Sequence, residues 1–332
     1  MTAALPVTPV SSVAARQVRM LRTAMGPAIA TALEDPDVVE VLLNPDGTLW
    51  VDTLSSGRRP TGLTLSKEDG DRIIRLVAAH VRVEVNRETP IVSAELPETG
   101  ERFEGLIPPV VPAPTFAIRK RASLVFTLDR YVVDGILTPA QAAFLAQAVR
   151  ERLNIVIAGG TSTGKTTLAN ALLDEVARTG DRVLILEDTR ELQCLADDQV
   201  ALRTKPGVAS MAELVRSTLR LRPDRIVVGE VRGSEALDLL KAWCTGHPGG
   251  IATVHAGSAA GALARLEQLI QEAVVTVPRA LIAEAVDVVV FIAGRGTSRR
   301  VREIARVTGL SADGYRLELL TPIDPQLNGD VT

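Results

Sequence analysis

The stretch GGTSTGKTT (159–167) sets glycines, a lysine and hydroxyl residues at a spacing suited to holding a phosphate chain. It fits G-x-x-x-x-G-K-[ST] from Gly159 to Thr166, follows the apolar run NIVIAG and opens a helical pattern. Backbone N–H groups of Gly160, Thr161, Ser162, Thr163, Gly164, Lys165 and Thr166 can surround a phosphate, and the helix N-terminus adds positive potential. Thr167 completes the candidate contacts. Lys165 is placed to reach the β/γ oxygens of a nucleoside triphosphate, and the Thr166 hydroxyl to ligate Mg²⁺. The plainer reading is a glycine-rich strand-to-helix turn.

Hydrolysis at such a loop needs carboxylates, one to help hold the metal and one to orient or deprotonate water. The run RIVVGE (225–230) ends in Glu230, without the Asp that more often closes this strand. VLILEDTRE (183–191) offers Glu187 at a second strand end, followed by Asp188 and Glu191. In open α/β sheets ligands sit beyond the carboxyl ends of the strands, where both clusters belong. Glu187 and Glu230 are the candidates for catalysis and, with Thr166, for the metal. Each directly closes an apolar run, whereas Asp188 and Glu191 also read as solvated strand-end carboxylates.

TGHPGGIATVHAGS (245–258) holds two of the three histidines, with Cys244 just before it. A structural zinc site wants four ligands, usually as two close pairs, and Cys244, His247 and His255 have no fourth nearby. Cys194 belongs to a different segment. A neutral imidazole at the end of the strand IATVHA can bond phosphate or the lytic water and report loss of the γ-phosphate. Gly249 and Gly250 permit a tight backbone approach before it. His247 also reads as a loop-bracing histidine.

These residues need a scaffold. From about residue 139 the sequence alternates NIVIAG, a helix from 165, RVLILED, MAELVRSTLRL, DRIVVGE, SEALDLLKAWC, GIATVHA and AAGALARLEQLIQEA. That rhythm predicts a mostly parallel sheet with helices on both faces. VDVVVFIAG, VREIARVTGL and YRLELLTP then extend it as antiparallel edges. Thr138 and Pro139 mark a helix start. Upstream, a helix over 13–33 is interrupted at Gly26–Pro27, strands are expected at 37–43, 48–54, 90–96, 102–107 and 115–121, and a helix at 66–81. The expected organisation is an α+β domain over 1–125 with a mobile start (1–11), a linker over 126–138, and an α/β nucleotide domain over 139–332.

Of 332 residues, 46% are hydrophobic and 3% aromatic, so the cores are aliphatic; the net charge of −3 gives no support to nucleic-acid binding as the main activity. Two cysteines form no disulfide framework. No apolar run reaches the roughly 18 residues of a membrane span, and the N-terminus does not read as a signal peptide. A cytoplasmic protein is expected.

GGTSTGKTTLANALL, ILEDTREL, LRLRPDRIVVGEVRGSEALDLLKAW and TGHPGGIATVHAGS occur in this order and spacing. With them the chain resembles the secretion ATPases of type II secretion, type IV pili and type IV secretion, most of all the conjugal-transfer members. The resemblance covers most of residues 85–295. It implies a RecA-like P-loop NTPase C-terminal domain behind a smaller α+β domain, ATP and Mg²⁺ as ligands, and a homo-hexameric ring. It also implies channel-protein partners at the inner membrane, with peripheral contact there and no sequence-specific nucleic-acid binding. Carried over by motif, Lys165 and Thr166 fall in the Walker A loop, Glu187 in the acidic box, Glu230 at the Walker B glutamate and His255 in the histidine box. The family places arginines near the γ-phosphate, and here Arg102, Arg119, Arg121 and Arg220 are the candidates. The paired CxxC motifs of zinc-bearing type II relatives are missing. A pilus or type II motor, a nucleic-acid translocase on the same core and a nucleotide-gated scaffold without turnover remain the alternatives.

Overall fold

The computed structural model describes residues 12–97, 99–120, 126–205 and 207–320. The stretch 1–11 expected to be mobile, and Arg121, lie outside them. The chain divides into two units, Met1–Ser123 and Leu124–Thr332.

In the first unit, helix α1 (Ser12–Glu34) breaks at Gly26, whose φ of 67° interrupts the helical run just before Pro27. Strands β1 (Val38–Leu43), β2 (Thr48–Thr53) and β3 (Gly57–Thr64) are followed by α2 (Lys67–Val81), then β4 (Ile91–Glu95), β5 (Arg102–Leu106) and β6 (Thr115–Arg119). The sheet runs β3-β2-β1-β6-β5-β4, antiparallel throughout. β3 was not expected. Its sequence GRRPTGLT carries Pro60, and only an edge strand tolerates the missing N–H.

Side chains alternate across this sheet as period 2 requires. Val41, Leu43, Leu49, Val51, Phe103, Phe116 and Ile118 point into a core shared with Ile73, Ile74 and Val77 of α2 and Ile29 of α1. The other face carries one registered row with a charged residue from every strand: Arg58, Asp52, Glu40, Arg119, Arg102 and Glu95.

The second unit contains α3 (Leu128–Val133), α4 (Pro139–Arg150), β7 (Ile155–Ala158), α5 (Lys165–Ala177), β8 (Val183–Glu187), β9 (Gln199–Arg203), α6 (Met211–Thr218) and β10 (Arg225–Val228). It continues through α7 (Glu235–Cys244), β11 (Ile251–Val254), α8 (Ala259–Gln271), α9 (Arg279–Ala285), β12 (Val288–Ala293), β13 (Arg300–Ser311) and β14 (Gly314–Leu319). The sheet order is β14-β13-β12-β7-β11-β10-β8-β9. Every residue of β7, β8, β10 and β11 is buried, as expected for parallel strands covered on both faces. Aliphatic cores lie on either side.

Three expectations change. The segment 126–138 is not a bare connection: it includes α3, whose Leu128 and Tyr131 are buried in the second unit's core. β12 is parallel to β7, so only β13 and β14 extend the sheet antiparallel. β9 pairs parallel outside β8; its mixed sequence QVALR carries little strand signal, because an edge strand need not be apolar on both faces.

The amino ends of the strands are tied by Arg225, which is 1% exposed. Its Nε donates to Asp181 Oδ2 (2.6 Å), Nη2 to the Val149 carbonyl (2.9 Å) and Nη1 to the Gly249 carbonyl (3.2 Å). Here the glycines before β11 find their reason. A Cβ on Gly249 would lie 2.6 Å from Arg225 Nη1, and one on Gly250 would lie 2.0 Å from the Trp243 indole nitrogen. The tight approach is to the sheet's base, at the end of β11 opposite His255.

Candidate functional site

Because β7, β11, β10 and β8 are neighbours and parallel, their carboxyl ends bring the loop 159–164, His255, Glu230 and Glu187 to one edge. Within the loop, Ser162 (φ 63°) and Gly164 (φ 94°) adopt the left-handed conformation. That alternation turns successive N–H groups toward one concavity, an anion nest at the start of α5. Thr163 Oγ1 donates to the Gly160 carbonyl at 2.9 Å and holds the loop closed.

Lys165 is buried, and its Nζ donates to the Gly160 carbonyl at 3.1 Å and lies 3.3 Å from His255 Nε2. His255 Nε2 in turn stands 2.7 Å from Glu230 Oε1. Burial first, then the Lys165 ammonium, hold the His255 imidazolium below its ordinary pKa, with Glu230 opposing. Glu230 Oε1 is buried, with the His255 ring nitrogen within hydrogen-bond distance but no aligned hydrogen bond to it among the described residues. The other oxygen of Glu230 accepts from Arg232 Nη2 at 2.5 Å, and Arg232 Nη1 lies 3.6 Å from Asp188 Oδ2. Arg232 thus links the carboxylates of two strand ends. Nothing in its sequence position distinguished it from any surface arginine.

Glu187 is only 4% exposed, and its Oε1 accepts the backbone N–H groups of Glu191 (2.8 Å) and Leu192 (2.7 Å). It shapes the loop after β8. Glu191, which the sequence also allowed as a solvated carboxylate, is the residue this loop delivers to the P-loop: its Oε2 lies 3.4 Å from the Thr166 hydroxyl. Asn170 secures the loop by donating to the Glu191 carbonyl (3.2 Å) and accepting from the Gln193 N–H (2.9 Å).

The other candidates are dispersed. His247 lies at the amino end of β11, its Nδ1 3.3 Å from the Ala242 carbonyl. Arg220 is exposed on the turn after α6, ahead of the amino end of β10, whereas Glu230 follows the carboxyl end. The structure therefore does not bring Arg220 to the loop of its own chain, since a parallel strand separates the two ends. Arg102 and Arg119 are registered partners on β5 and β6 of the first unit. Cys194 is buried among the aliphatic side chains beside α5, and Cys244 ends α7; burial pushes both thiols up.

A second arginine pair was not anticipated. The turn between β12 and β13 places Arg295 Nη2 3.3 Å from the Thr161 carbonyl. It also lays the Arg299 side chain against Gly164, where a Cβ would meet Nε at 3.0 Å.

Comparison with known proteins agrees with this architecture. Residues 66–298 match the family described as type II/IV secretion system protein. The chain is 51% identical over 305 residues to the probable conjugal transfer protein TrbB of Sinorhizobium fredii, covering 91% of this chain and 93% of the relative. It is 48% identical over 311 residues to the conjugal transfer protein TrbB of Rhizobium radiobacter, covering 93% and 96%. Among solved structures, the Legionella pneumophila ATPase DotB aligns with a TM-score of 0.58 at 19% identity, over 86% of this chain and 78% of that one, a likeness of fold. The chain belongs to the type II/IV secretion system protein family.

Proposed function

We propose that this chain is the ATP-hydrolysing motor subunit of a conjugative or type IV secretion apparatus. In this reading it works as a hexameric ring on the cytoplasmic side of the inner membrane, where channel proteins are its partners. Kinship with conjugal transfer proteins over more than nine-tenths of the chain supports the apparatus. No described helix is long and apolar enough to cross a membrane, so contact with one is peripheral in this proposal.

The observation that carries the chemistry is Glu230 Oε1, buried and without an aligned hydrogen bond, beside His255 and Lys165 at the phosphate loop. A carboxylate oxygen held at the phosphate loop with a ring nitrogen 2.7 Å away is suited to pass a proton from water. The loop N–H groups from Gly160 to Thr167 hold the phosphates. Lys165 exchanges the Gly160 carbonyl for the β/γ oxygens as a point charge. His255, kept neutral by its surroundings, hydrogen-bonds the γ-phosphate or the water and passes loss of that group to α8. Arg232 keeps Glu230 and Asp188 aligned across two strand ends.

The donor set near Thr166 fits Mg²⁺, which takes oxygen ligands. Thr166 and Glu191 supply a hydroxyl and a carboxylate 3.4 Å apart, and Glu230, expected among the ligands, follows β10, the strand next to β8. Glu187, expected among the metal ligands, serves this set by positioning the Glu191 loop. When bound, the ion neutralises charge on the β/γ oxygens.

Glu230→Gln tests the reading. It keeps ATP binding while hydrolysis falls about 100-fold or more, the low end for losing a positioned base. Wild-type turnover in this variant, with turnover lost in Glu187→Gln, exchanges the two roles.

A further inference from the structure

Arg299 reaches the phosphate loop from the turn after β12, a strand on the opposite side of β7 from β11 and β10. Its Cδ, Nε and Cζ would lie 3.2, 3.0 and 3.1 Å from a Cβ on Gly164, so the side chain rests on the loop through a gap that only glycine leaves open. The turn is built for this. Gly294 (φ 81°) has no room for a Cβ against the Ser298 carbonyl, Arg295 Nη2 faces the Thr161 carbonyl, and Arg300 Nη1 donates to the Thr297 and Arg299 carbonyls.

Arg299 is half-buried, yet its Nε is buried and has no hydrogen-bond partner among the described residues, and no described carboxylate pairs with it. A buried charged donor without an acceptor is costly, and a positive fork against an anion nest has an obvious counter-charge in a phosphate group. We propose that Arg299 is a nucleotide-binding residue acting within its own subunit, on the phosphate–ribose end of the nucleotide away from the bond that is cleaved.

The assignment to that end follows from the sheet order. Lys165 Nζ, His255 and Glu230 all lie on the β11–β10 side of the loop, where the γ-phosphate must be for Glu230 to serve hydrolysis. Arg299 lies on the β12 side, the flank left for the remainder of the nucleotide. Contacts there are the same in ATP and ADP. They contribute to binding of both and are not made stronger in the transition state, so their loss raises KM and spares kcat.

This inference rests on the nucleotide-site reading above, and Lys165→Ala is the control that separates the two. In the full chain, Arg299→Ala raises the KM for ATP and the Kd for ADP together by about tenfold, the scale of one hydrogen bond to a charged group. kcat keeps most of its wild-type value. The apo melting temperature stays at wild type while the rise produced by ADP shrinks, which a merely structural arginine would not do. Arg299→Lys keeps a point charge without the fork and recovers part of the loss; it carries the test if the alanine variant does not fold. Wild-type KM and Kd in the folded Arg299 variants, with binding lost in Lys165→Ala, overturn the role of Arg299 alone. A fall in kcat at unchanged KM also overturns it, by placing the arginine at the transferring phosphate. Wild-type binding in Lys165→Ala as well overturns the site itself.

Discussion

His255 Nε2 stands 2.7 Å from Glu230 Oε1, joining the end of β11 to the end of β10 directly above the phosphate-loop lysine. The neighbours pull on the imidazole in opposite directions. Burial and the Lys165 ammonium disfavour its protonation, and the Glu230 carboxylate favours it. NMR titration of His255 is expected to show a midpoint below the ordinary value of 6.5. The midpoint rises in Lys165→Met and falls further in Glu230→Gln. In stability the sign is that of a base neutral in the fold: no penalty above the unfolded value, and a growing one as pH drops from there toward the folded value. A midpoint above the ordinary value would remove the argument for a neutral imidazole.

Glu187 and Glu191 separate by the property each one changes. Glu187→Ala leaves the N–H groups of Glu191 and Leu192 without their acceptor, at a cost of about 1–3 kcal/mol for an unsatisfied group, measured by denaturant unfolding. Glu191→Gln keeps the fold's stability and instead raises the Mg²⁺ concentration needed for half-maximal turnover. The reverse pattern would return the metal role to Glu187.

Asp181 and Arg225 form a buried ion pair at the opposite edge of the same sheet, with side chains 7% and 1% exposed. Asp181→Ala strands the guanidinium and costs about 3–5 kcal/mol, with nucleotide affinity of the folded fraction unchanged. Burial tends to raise the Asp181 carboxyl, but the bonds from Arg225 and Thr179 hold it below the usual range. Its contribution is therefore complete above the unfolded pKa and is lost as pH falls through the folded one. The acid limb of the wild-type stability curve flattens in the variant.

The registered pair Arg102 and Arg119, with Glu40 next to Arg119 in the row, sets the last expectation. Burial raises the Glu40 carboxyl and Arg119 counters it, so Arg119→Ala raises it further. If these arginines serve a neighbouring subunit of a ring, each alanine variant lowers kcat about a thousandfold, the low end for an arginine on a transferring phosphoryl group. ATP binding then changes much less. Mixing Arg119→Ala with Lys165→Ala subunits restores part of the activity. Mixed rings that form and stay inactive would place the arginine in its own subunit's site or in the sheet alone.

The sequence determined what local chemistry and periodicity carry. GGTSTGKTT specified a phosphate-holding turn from strand to helix, in which Gly164 takes a φ of 94° with no Cβ to strain; the left-handed Ser162 is seen only in the structure. Continuous apolar runs closing in Glu187 and Glu230 specified buried parallel strands and put both carboxylates at one sheet edge. The helix starts at Thr138 and Ser66 were readable because a cap is a contact over three residues, and the structure completes the first with a capping box from Gln141.

What tertiary structure decided is everything that depends on partners far apart in the chain. β3 and β9 exist because neighbouring strands offer them hydrogen bonds, against their own weak patterns. β12 is parallel because it pairs with β7, some 130 residues earlier. Gly249 and Gly250, beside a histidine and easily assigned to the ligand, are required by Arg225 and Trp243 at the far end of the strand. Which acidic residue faces Thr166 was set by the turn that Glu187 itself organises, which delivers Glu191 four residues on. Side-chain type fixes what a residue can do; which charge it meets depends on how the sheet orders its strands, and Arg232 and Arg299 acquire their places beside the phosphate loop only there.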